Sequence, residues 1–121
     1  MKDEGNVIVE RSMAYALRAI GLFRGLEKDS VGRVLGTQVL RAGTSIGANV
    51  HEAQAAQTRP DFISKMSIAH KEAREAAYWL RLIGQAQLCS ASTLGDLGEE
   101  TEQIIKILSS ILITAKRKAQ Q

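Results

Sequence analysis

A chain of 121 residues is long enough for one domain with a substantial core and too short for two of ordinary size. Apolar residues make up 45% of it and aromatic ones only 4%, so the core rests on Ala, Leu, Ile and Val, and a single proline favours helix throughout. One cysteine, Cys89, cannot close an internal disulfide, which argues against a secreted, disulfide-stapled scaffold; the net charge of +3 gains meaning only once the charges are placed.

The opening MKDEGNVIVERSM mixes charges of both signs and has no long apolar run. Neither a signal peptide nor a membrane span is expected, and the implied location is cytoplasmic. Val9, Met13, Ala16, Leu17, Ile20, Phe23 and Leu26 then recur at spacings of three and four, which predicts a first helix over about residues 7–28 with those side chains on the core. From Arg11 to Arg41 the chain is basic, with Arg11, Arg18, Arg24, Lys28, Arg33 and Arg41 against Glu27 and Asp29. A sparse basic surface of this kind suits nucleic acid or an acidic protein.

Asp29 and Ser30 supply a break and an N-cap for a second helix. Val31, Leu35, Val39, Ala42, Ile46, Val50 and Ala53 hold the same spacing straight through RAGTSIGANVHEA, residues 41–53, which therefore reads as helix. A phosphate-cradling P-loop would need a lysine and a preceding strand that this stretch lacks. Arg41, Ser45, Asn49 and Glu52 form a polar stripe at the border of the core. Thr44, Gly47, Ala48 and His51 occupy a face too small and too uncharged for ordinary solvent exposure. Gly43 and Gly47 each cost a helix about 1 kcal/mol relative to alanine, so another helix is expected to approach closely there, at Gly47 from a neighbouring subunit.

Pro60 ends the second helix near QTRPD, and Asp61 is the expected cap of the third. Phe62, Met66, Ala69, Ala73, Ala76, Leu80 and Ile83 mark that third helix, of about 25 residues. Lys65, Glu72, Glu75 and Trp79 share one of its flanks. Counting outward from Pro60 sets Glu52 roughly level with the region from Lys65 to Lys71 and Arg41 with that from Glu75 to Trp79, so a polar network of Arg41, Ser45, Asn49, Glu52, Lys65, Glu72 and Glu75 is expected between helices two and three.

CSASTLGDLG is the last turn region, and Leu97, Thr101, Ile104, Leu108, Ile111 and Ala115 mark a fourth helix that starts near Ser92 or Thr93. Its acidic beginning, Asp96, Glu99, Glu100 and Glu102, and its basic end, Lys116, Arg117 and Lys118, complement a helix dipole. Connections this short make successive helices antiparallel neighbours, giving an all-α, up-down-up-down four-helix bundle as a single domain over residues 1–121. Helices two and four carry more apolar surface than one subunit can cover. A homo-oligomer follows, with Thr44, Gly47, Ala48, Ile107 and Ile113 at its interface.

No catalytic constellation stands out. A carboxylate di-metal bundle needs two Glu-x-x-His motifs, whereas Glu72 and Glu75 form Glu-x-x-Glu and His51 and His70 point away from them. Cys89 lies in a turn without a nearby histidine in sequence. The chain reads as non-enzymatic, with no cofactor or metal, and a metal-binding bundle is the remote alternative.

Ser45 to Glu52, Ser-Ile-Gly-Ala-Asn-x-x-Glu, and Lys71 to Leu80, Lys-Glu-Ala-x-Glu-x-x-Tyr-Trp-Leu, resemble bacterial four-helix-bundle proteins encoded by intervening sequences in large-subunit ribosomal RNA genes. The same family includes accessory variability proteins of diversity-generating retroelements. The resemblance covers nearly the whole chain; Ala53 stands where the usual form has glycine. It implies a bundle assembling into a pentameric ring, with no enzyme activity established, and for the retroelement members nucleic-acid binding and a reverse transcriptase partner. The function expected here is association with an RNA or DNA backbone through Arg11, Arg18, Arg24, Lys116, Arg117 and Lys118. A protein-interaction module for a reverse transcriptase or another neighbour is the alternative.

Overall fold

The computed structural model describes residues 4–120, which form four helices: α1 (Glu4–Leu26), α2 (Ser30–Gln54), α3 (Arg59–Gln85) and α4 (Ala91–Ala119). Each boundary has a local cause. Asp29 caps α2 by accepting the Gly32 amide at 2.7 Å. Thr58, and not Asp61, caps α3: its hydroxyl accepts the Asp61 amide at 3.1 Å, while Pro60 sits in the first turn, where a missing N–H costs nothing. Ser90 caps α4 through the Thr93 amide. At the end of α3 the amides of Gln87 and Leu88 return to the carbonyls of Gly84 and Ile83, with Gln87 in the left-handed region at φ 58°. This is a Schellman ending built without glycine.

The helices form a closed ring of neighbours, α1 on α2, α2 on α3, α3 on α4 and α4 on α1, and within the described residues the diagonal pairs do not meet. Contact partners rise in number on one helix as they fall on the next, as antiparallel packing requires. Gly36 of α2 faces Phe23 and Leu26, Gly43 faces Ala19 and Tyr15, and Gly47 faces Ser12.

Packing in α3 follows its sequence pattern: Met66, Ala69, Ala73, Ala76, Leu80 and Ile83 are all buried. In α1 it does not. The buried stripe is Ile8, Ser12, Tyr15, Ala19, Leu22 and Leu26, one residue removed from the expected Val9, Met13 and Ala16, and Met13 and Leu17 remain 64% and 63% exposed. The small residues Ser12 and Ala19 are what allow α1 to close on the glycines of α2. A Cβ at Gly43 would lie 2.9 Å from Ala19 Cβ, and one at Gly47 would lie 3.3 Å from the Ser12 carbonyl oxygen. Gly47 therefore faces α1 of its own chain.

On its other side α1 makes only a narrow contact with α4. Two polar links hold that seam. Tyr15, the largest fully buried side chain, places its hydroxyl 2.6 Å from Thr101 Oγ1, and Thr101 donates in turn to the Leu97 carbonyl at 2.7 Å. The hydroxyl hydrogen of Thr101 is thereby committed, so the Tyr15 hydroxyl donates and Thr101 Oγ1 accepts. Burial holds the Tyr15 phenol up at about 12, so it keeps its proton throughout the physiological range. Arg11 supplies the second link, to Glu100.

Candidate functional site

The polar stripe of α2 meets α3 at two levels. Arg41 Nη1 lies 3.2 Å from Glu72 Oε2, and its Nη2 pairs with Glu75. Lower down, Lys65 Nζ lies 3.4 Å from Glu52 Oε2. The two levels differ in weight, because the Glu72 side chain is 15% exposed and that of Glu52 is 63% exposed. A single guanidinium between two half-buried carboxylates fixes how α2 and α3 pack, whereas the exposed Lys65 pair adds under about 1 kcal/mol. Ser45 and Asn49 stay within α2: Asn49 Nδ2 donates to the Ser45 carbonyl at 2.9 Å. With both carboxylates of the Glu-x-x-Glu pair engaged by Arg41, they serve packing. Among the described residues no group of three or more His, Cys, Asp or Glu is placed to hold a metal ion.

Two basic residues of α1 lie against the acidic start of α4. Arg11 is held by Glu100 through two charge-assisted hydrogen bonds, Nε to Oε2 at 2.9 Å among them, and this partner keeps its guanidinium pKa above the ordinary value. Arg18 lines an acidic cleft with Asp96, Glu99, Glu100 and Glu102 of α4. The acidic start of α4 thus pairs with Arg11 and shares a cleft with the exposed Arg18, while Arg24 stands exposed beyond it. Local sequence pattern could not have shown this, since Arg11 and Glu100 are 89 residues apart.

The opposite end of the bundle is different. Lys116, Arg117 and Lys118 are exposed on the last turn of α4, and Arg59 is exposed at the start of antiparallel α3. Arg59 and Lys118 line one cleft, and among the described residues none of these four cations is held in an ion pair. Together they give this end of the bundle a positive potential.

Between α3 and α4, His70 Nε2 lies 2.9 Å from Ser109 Oγ, beside Arg74 and Lys116. Burial pushes the imidazole below its ordinary pKa, and the two cations push it the same way. The unfolded chain therefore takes up this proton first. Native stability falls as pH drops through about 6.5 toward the folded value, and above that range both states are neutral and the effect vanishes. His70→Gln is expected to flatten the acid limb of the urea midpoint between about pH 7 and pH 5. Cys89 is half-buried, and burial pushes its thiol up, away from the nucleophilic thiolate.

The five interface candidates fall on different faces. Thr44 is half-buried, its hydroxyl bonded to the Leu40 carbonyl of its own helix at 2.8 Å, and Gly47 is half-buried against Ser12. Ala48 is exposed beside Met13 and Ala16 of α1 around a shared cleft. Ile107 packs against the core, while Ile113 is 59% exposed beside His70. The sequence pattern missed the larger apolar surface, Met13 and Leu17, by assigning both to the core. No described helix is long and apolar enough to cross a membrane.

Residues 4–110 match the family model described as 23S rRNA-intervening sequence protein. The chain is also similar to a crystal structure of a protein of unknown function from the S23 ribosomal protein family of Bacteroides thetaiotaomicron VPI-5482, with 38% identity and a TM-score of 0.87. That match covers 91% of this chain and 98% of the other. No curated protein matches the sequence.

Proposed function

We propose that this chain, which belongs to the 23S rRNA-intervening sequence protein family, is a non-enzymatic bundle that associates with the phosphate backbone of nucleic acid through one basic end. The observation that carries the reading is the polarity of α4. Its first half is acidic and faces the arginines of α1, while its last turn, with Arg59 beside it, presents Lys116, Arg117 and Lys118 without ion-pair partners among the described residues. Cations so placed release condensed counterions when they meet phosphates, so binding is salt-dependent and weakly sequence-specific. Replacing Lys116, Arg117 and Lys118 with glutamine together is expected to weaken RNA binding at low ionic strength and to lower the log–log salt slope by about 2. An unchanged slope would sink the assignment to this end.

A second reading, self-association, is favoured by Met13 and Leu17. Both are large, apolar and mostly exposed, and Met13 with Ala48 borders the cleft between α1 and α2. The family resemblance makes a ring of five the expected assembly. Met13→Glu with Leu17→Glu should shift the sedimentation coefficient to that of a monomer while the helical circular dichroism is retained. An assembly indifferent to both charges would place the interface elsewhere.

A further inference from the structure

The basic end holds a cleft of about 640 Å³, framed by the start of α1, the turn between α2 and α3 and the last turns of α4. Its walls carry two cations, Arg59 and Lys118, the polar side chains Gln57, Thr58 and Thr114, and the half-buried ring of Phe62. Phe62 also packs against the hydrophobic core, so its ring is held in place from behind. Among the described residues that line the cleft there is no carboxylate. A cleft of similar size on the other half of α4, around Arg18, is lined by four carboxylates and no aromatic ring, so the combination is particular to this end.

An aromatic face, two flanking cations and hydrogen-bonding side chains in one open cleft match the chemistry of a nucleotide: a flat base with a π-face, a charged phosphate, and polar edges. Duplex nucleic acid hides its base faces in the stack, so only an unpaired nucleotide can use the ring. We propose that the Phe62 cleft takes one unpaired nucleotide of a single-stranded nucleic acid, its base against the Phe62 ring and its phosphate between Arg59 and Lys118. This rests on the nucleic-acid reading above and adds to it a strand preference that surface cations alone do not give.

The test compares the full chain with its Phe62→Leu variant, which keeps an apolar side chain against the core, on a single-stranded oligonucleotide and on the duplex of the same sequence. Fluorescence anisotropy should show Phe62→Leu weakening single-strand binding about tenfold and leaving duplex binding unchanged, as the loss of one stacking contact predicts. Lys118→Gln should weaken both. Independently of any variant, 2-aminopurine in the single strand should be quenched on binding to the wild-type chain, which keeps the test open if Phe62→Leu fails to fold. Equal single-strand affinities together with an unquenched 2-aminopurine would overturn the proposal while leaving phosphate binding intact. Equal losses on single strand and duplex by a folded Phe62→Leu would also overturn it. If the wild-type chain bound neither form at low salt, both readings would fall.

Discussion

Gly43→Leu should cost the fold about 3 kcal/mol, seen as a lower urea midpoint with an unchanged m-value. The reason lies in what stands opposite. A Cβ at this position would meet Ala19 Cβ at 2.9 Å and the Tyr15 ring at 3.4 Å, and both residues are fully buried. Ala19 Cβ is fixed to its backbone, so no rotamer change relieves the clash; only movement of α1 as a whole does. That movement would pull Tyr15 from Thr101 and Arg11 from Glu100 on the far side. Gly47→Leu should act in the same direction, since Ser12 backbone lies opposite it, and should unfold the monomer instead of merely dissociating an assembly. Gly21 is the control: a Cβ there meets nothing within 4 Å, so Gly21→Ala should gain up to about 1 kcal/mol from helix propensity. A Gly43→Leu chain as stable as the wild type would refute the close packing of α1 on α2.

Arg41→Ala is expected to destabilise by about 2 kcal/mol. A fully buried ion pair broken from one side costs about 3–5 kcal/mol; here the Arg41 side chain is 46% exposed, which lets water and salt soften the loss. What remains is Glu72, largely buried, and Glu75 one turn further along α3, two carboxylates with their shared cation removed. Arg41→Lys should recover part of the loss, because the charge returns without the fork that reaches both glutamates. A double-mutant cycle between Arg41→Ala and Glu72→Gln isolates the coupling. A coupling within about 0.3 kcal/mol of zero would mean that this network is only surface decoration.

Legibility from the sequence followed the contrast between faces. In α3 one apolar stripe stands among charged and polar residues, and the pattern leaves a single way to bury it. The polar levels of Arg41 and Glu52 could be counted from Pro60, because an antiparallel pair joined by a short turn has little freedom of register. Helix α1 offers two apolar stripes, one through Ile8, Tyr15 and Leu22 and one through Met13, Leu17 and Ile20, and the larger residues drew the assignment to the wrong one. The deciding fact was complementarity with glycines on α2, which no property of α1 alone reveals. The same holds for the charges. Arg11 and Arg18 look available until α4, far along the chain, sets its glutamates near them, and Phe62 shares a cleft with Lys118 only through the bundle.

The glycine seam has a mechanical consequence. Gly36, Gly43 and Gly47 give α2 a flank of low relief, on which α1 can come near but finds few teeth to mesh with. Nearness and axial position are then supplied by different sides of the same helix. The smooth side sets how close α1 lies; the Tyr15 hydroxyl on Thr101 and the Arg11 fork on Glu100 act as dowels that stop it from sliding lengthwise.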